Sequence, residues 1–141
     1  MATTSNPTEP ATDHSDVEVS TLTVVAWQDP LVETMPGAMP TASDQALVWW
    51  TPSVGPTGIL MAHRFAAYAV DGPSQWTVPD IAATFGMGNS RGRVMHPLAR
   101  LERFGIVSCH GSEVAVRLML APLTRRQRVS LPGYLTDALD D

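Results

Sequence analysis

The residues with the most chemistry to offer lie between Gly88 and Arg103, in the run Gly88-Asn89-Ser90-Arg91-Gly92-Arg93-Val94-Met95-His96-Pro97-Leu98-Ala99-Arg100-Leu101-Glu102-Arg103. Four arginines, an asparagine, a serine and a histidine share these 16 positions with one acid. A guanidinium presents a fork of N–H donors that matches phosphate oxygens, or the O6/N7 edge of guanine, and a carboxamide matches the N6/N7 edge of adenine. Asn89, Ser90, Arg91 and Arg93 are therefore candidates for base edges or nearby phosphates, with His96 beside them. Arg100 and Arg103 are candidates for tracking a nucleic-acid backbone, and Arg117 for reaching a neighbouring groove. A glycine-bearing arginine loop beside a helix N-terminus can hold phosphate through charge and backbone N–H groups. The alternative is a loop solvated by its own charge.

The charge distribution sharpens this reading. The formal net charge is −5, which argues against a polyanionic partner when taken as an average. Residues 1–52, however, hold seven acids and no Arg or Lys, whereas residues 88–128 hold eight arginines against Glu102 and Glu113, a local net of +6. Attraction of phosphate depends on local potential and not on the sum. The plainer account is an acidic tail beside an ordinary arginine-rich surface, and residues 53–141 as a whole carry only nine Arg against seven acids.

Other chemistry finds little support. Gly86-Met87-Gly88-Asn89-Ser90-Arg91 begins like a dinucleotide-binding loop, but Arg91 takes the place of the third glycine and a helix pattern, not a strand, precedes it. Cys109 and His110 are adjacent, with His63 and His96 distant, which matches no zinc spacing. No nucleophile–base spacing and no paired carboxylates stand in a patterned segment, so no enzyme, metal or cofactor is expected. The single cysteine excludes an internal disulfide. The N-terminus lacks the basic-then-apolar order of a secretory signal, and no apolar run reaches the roughly 18–20 residues of a membrane span. The cytoplasm is the expected compartment.

The elements that must position these side chains are partly readable. Residues 1–20 are too poor in large apolar side chains to offset the entropy of ordering, and predict a disordered acidic tail. Residues 21–54 predict an irregular arm packed on the domain, with a short β-prone run at Thr21–Trp27 and an apolar helical turn at Gln45–Trp50. Ile59, Leu60, Ala62, Phe65, Ala66, Ala69 and Val70 fall at helical spacing behind Pro56, so 56–70 is the first helix. Thr77 stands three residues before Asp80, the capping-box spacing, and opens a short second helix that Gly86 closes. Pro97 is tolerated at a first turn and costly inside a helix, which places the third helix near His96 and leaves 88–95 as an extended loop. On such a helix Leu98, Leu101 and Phe104 point inward and Arg100 and Arg103 share the other face.

Ile106 to Leu120 reads as a hairpin turning at His110-Gly111-Ser112, its second run alternating over Val114, Val116, Leu118 and Leu120. Thr124 can cap a short basic helix over 125–130, whose Arg125, Arg126 and Arg128 are either a second basic patch or a solvated face, and a last helix covers 134–139. Trp49, Trp50 and Trp76 read as core or interface anchors rather than stacking platforms.

Over roughly 65 residues this order resembles the winged helix-turn-helix superfamily. Its second helix reads apolar-Ala-x-x-apolar-Gly-apolar and its third Leu-x-x-Leu-x-x-x-Gly-apolar, with the wing directly after. Ile81-Ala82, Phe85-Gly86-Met87, Leu98 with Leu101, and Gly105-Ile106-Val107 fill those positions. The Trp-Trp-x-Pro-x-x-Gly-Pro lead-in (Trp49 to Pro56) and the arginine-rich tail (Pro122 to Pro132) are also similar to a group of actinobacterial winged-helix proteins without a settled role. The resemblance implies an α+β winged-helix domain over 55–121 followed by short helices over 122–141. It also implies DNA binding in transcriptional control, or a protein-interaction winged helix that takes a transcription or replication partner. Such proteins are often two-fold dimers, for which 131–139 and the Trp49-Trp50 arm are the expected surfaces.

Overall fold

The computed structural model describes residues 21–88 and 91–140 and shows a mixed α+β fold with seven helices among them. In chain order these are β1 (Thr21–Trp27), α1 (Pro30–Glu33), β2 (Met39–Pro40), α2 (Asp44–Val54), α3 (Pro56–Ala69), β3 (Ser74–Thr77), α4 (Val78–Thr84), α5 (Arg91–Arg103), β4 (Val107–His110), β5 (Glu113–Arg117), β6 (Met119–Leu120), α6 (Arg125–Val129) and α7 (Gly133–Asp140). The expected tail over 1–20 lies outside the described residues. No helix described is long and apolar enough to cross a membrane.

The sheet corrects the irregular arm. Its order is β3-β1-β5-β4, so the Thr21–Trp27 strand sits in the interior of the sheet. β1 runs antiparallel to β3, with Thr21 opposite Thr77, and parallel to β5, with Val24 opposite Val114. Leu22 and Val24 point to the core, and the backbone of β1 is hydrogen-bonded on both sides. A β-prone run with one apolar face is what an interior strand facing helices on one side requires. The helical turn expected at Gln45–Trp50 is a full 11-residue helix, opened by Ser43, whose hydroxyl accepts from the Ala46 N–H.

The helices that position the arginines pack on this sheet. α3 buries Ile59, Ala62, Phe65, Ala66 and Ala69 of the face its spacing predicts, and Met61 besides, whereas Leu60 and Val70, expected on that face, are exposed. Thr77 caps α4 by accepting from the Asp80 N–H at 3.1 Å, and Gly86 and Gly105 take positive φ (66° and 73°) at the exits of α4 and α5. The indole of Trp76 is edge-on to Phe65 at 5.0 Å and to Tyr68 at 5.3 Å, an aromatic cluster joining β3 to α3. Trp50 is buried, as are Leu131 and Leu135, so part of the surface expected for a dimer faces inward.

α5 departs from expectation. It starts at Arg91, not near His96, and carries Pro97 in its interior, so the described part of the 88–95 loop from Arg91 onward is helix. Proline there removes one i→i−4 bond and crowds the Arg93 carbonyl, a cost of about 3 kcal/mol. The longer helix buries Val94 as well as Leu98 and Leu101, and Pro97 is itself buried. Full burial of a Val or Leu side chain contributes roughly 1.5–3 kcal/mol, so the extra turn offsets most of the backbone penalty.

The hairpin forms as β4 and β5 around Gly111 (φ 60°), but the alternation does not continue as one strand to Leu120. The chain bends at Leu118, and β6 pairs with β2, Met39 opposite Leu120. Buried Thr41 fixes that bend: its N–H donates to the Leu118 carbonyl at 2.9 Å and its hydroxyl to the Arg117 carbonyl at 2.6 Å.

Candidate nucleic-acid interface

Helix geometry sorts the α5 side chains. At 100° per residue, Val94, Leu98 and Leu101 share one face, turned to the core. Arg93, His96, Arg100 and Arg103 occupy the opposite arc and are all exposed. The stripe from Arg93 to Arg103 spans ten residue steps, about 15 Å at 1.5 Å rise per residue. The one acid of the helix, Glu102, points elsewhere: its carboxylate accepts from the Cys109 N–H of β4 at 2.9 Å. Among the described residues the only ion pair is Arg117 with Asp29, so no described carboxylate locks the stripe.

Arg100 is the best-fixed member. Its guanidinium donates to the Ser53 carbonyl at 3.1 Å, at the end of α2, and lies 5.9 Å from the centroid of the Phe104 ring. Phe104 was expected inward; it is 40% exposed and forms a shallow depression with Arg100 and Arg103. The ring stands near the outer limit of a cation–π contact, and the Ser53 carbonyl takes one of the five N–H donors of the guanidinium. Sequence reasoning missed Phe104 because the i+3 spacing from Leu101 suggested a continued apolar face, whereas α5 ends at Arg103 and Gly105 turns the chain away.

Arg117 belongs elsewhere. Its Nε donates to the Gly105 carbonyl at 2.6 Å, one Nη donates to Asp29 at 3.0 Å, and its Cζ stands 3.7 Å from the centroid of the Trp27 ring. These contacts tie the end of β5 to the exit of α5 and to the N-cap of α1. The guanidinium holds the Asp29 carboxyl below its ordinary value, chiefly by the hydrogen bond. The expectation that Arg117 reaches into a groove therefore does not fit, because its donors serve the fold. Asn89 and Ser90 lie outside the described residues, as does the Arg91 side chain.

A cleft of about 680 Å³ opens beside the stripe, where α5 meets the start of α3. Arg93, His96 and Arg100 line one side, Val54 to Gly58 the other, and Met87 and Pro97 complete it. Gly55, the N-cap of α3, offers no side-chain hydrogen bond, and the first intrahelical bond runs from the Ile59 N–H to its carbonyl. The half-buried Cys109 has its thiol pushed up by burial first and by Glu102 second, and behaves as a packing residue.

Neither family models, nor characterised proteins, nor solved structures gave a match to this chain.

Proposed function

We propose that this chain is a winged-helix DNA-binding protein acting in transcriptional control, with α3, α4 and α5 as its helices and β4–β5 as its wing. The single observation that carries the reading is the exposed Arg93-His96-Arg100-Arg103 stripe, set opposite the buried face of α5 with no described carboxylate on it. The order of elements supports it: a strand between the first two helices, then α5 leading through Gly105 straight into a hairpin. In this arrangement α5 lies along a groove of duplex DNA. Arg93, in the N-terminal half of the helix, reaches a phosphate beside the base edges that His96 approaches, while Arg100 and Arg103 follow the phosphates further along.

The test is duplex binding by fluorescence anisotropy with pooled genomic fragments at low and high salt. Binding that weakens steeply with salt is expected, since neutralised phosphates release counterions. Absence of binding at low salt would overturn the reading and transfer the same face to an acidic protein partner.

A further inference from the structure

From the cleft between α5 and the start of α3, we infer a binding site for a small organic anion: an apolar body carrying one carboxylate. This goes beyond the DNA reading and does not require it. At about 680 Å³ the cleft has the size of a small-molecule site, far more room than one phosphate oxygen cluster needs. Its lining is apolar at Val54, Pro56, Met87 and Pro97. Cations stand at separate points on its α5 side, Arg93 and Arg100 being seven residues apart, about 10 Å along the axis. A duplex backbone would use the charges and leave the apolar lining unmatched; an inorganic anion would do the same.

The two arginines are placed differently. The Arg93 guanidinium lies beside Gly88, where a Cβ would be 3.6 Å from its Nη, and so stands on the Met87 side of the cleft. Arg100 is fixed by the Ser53 carbonyl and by Phe104, with donors to spare. A carboxylate paired with Arg93 places its apolar body between Met87 and Pro56, with His96 alongside. The N–H groups of Thr57 and Gly58, in the first turn of α3 where no described side chain caps them, add donors on the opposite side. The ligand shares Arg93, His96 and Arg100 with the proposed DNA face, so occupancy of the cleft would compete with a duplex.

The experiment is a two-dimensional amide NMR titration of the full chain, without DNA, using 2-naphthoate, its neutral analogue 2-naphthamide and inorganic phosphate in parallel. Expected is saturable binding of 2-naphthoate with a Kd of about 1 mM or tighter, with shifts centred on Thr57, Gly58, Gly92 and His96. R93Q should weaken it about tenfold, as should the neutral analogue, while R64Q, exposed on α3 outside the cleft, should leave it unchanged. Three results would each overturn the site: no saturable binding, equal affinity for phosphate, or binding that R93Q does not change. Because no duplex is present, failure here leaves the DNA reading standing, and failure of DNA binding leaves this one standing.

Discussion

The claim that residues 21–27 are an interior strand, and not an arm, can be tested with V24A. Val24 is fully buried, opposite Val114 on β5 and Ser74 on β3. Truncation to Ala removes two methyl groups, about 1.6 kcal/mol of transfer energy at roughly 0.8 kcal/mol each. The space they vacate, on the order of 50 Å³, adds up to about 1.2 kcal/mol if the sheet does not relax. The expected loss is therefore about 2–3 kcal/mol, read as a lower urea midpoint at unchanged slope. At roughly 2–4 °C per kcal/mol for a chain of this size, thermal unfolding should shift down by about 5–10 °C. A chain beginning at Gly55, lacking β1 altogether, should show no cooperative unfolding transition. A V24A loss below about 0.5 kcal/mol, the level of a surface substitution, would refute the placement of β1 between β3 and β5.

Two further perturbations bear on the same scaffold. P97A should restore one helical hydrogen bond worth about 3 kcal/mol of propensity and lose about 1.6 kcal/mol of buried ring carbon, a net gain of roughly 1–2 kcal/mol in urea unfolding; a net loss would mean that packing of the ring governs α5. The depressed Asp29 carboxyl contributes stability that is present above its ordinary pKa and lost as pH falls through the lowered folded value. D29N should therefore be less stable than the parent near neutrality and converge with it in acid, as followed by urea midpoints across the acid range.

What the sequence shows and hides follows from the range of the interactions. Thr77 with Asp80, Gly86 and the β4–β5 turn are set within a few residues and form where their spacing places them, as does most of the α3 face, with Leu60 and Val70 turned out instead. β1 could be recognised as a strand, but its place between β3 and β5 depends on partners some 50 and 90 residues away, with no local mark. The start of α5 is hidden for an energetic reason: the Pro97 penalty is visible in one residue, whereas the compensating burial of Val94 exists only once α3 and α4 are packed. Arg117 shows the limit of counting charges. It is one of eight arginines in a basic segment, yet Asp29, Gly105 and Trp27 claim it from distant parts of the chain. The members of the candidate site on α5, by contrast, stay together because helical spacing alone brings Arg93, His96, Arg100 and Arg103 onto one arc.

The α5 stripe as the grip on DNA is most directly tested by comparing salt slopes of the parent chain and a triple variant, R93Q with R100Q and R103Q. Three phosphate contacts give a slope of log affinity against log salt of about −2.7, a loss of roughly 40-fold between about 50 and 200 mM salt. The triple variant, folded because all three side chains are exposed, should flatten that slope by about 2.7 units. Equal slopes for the two proteins would contradict the account.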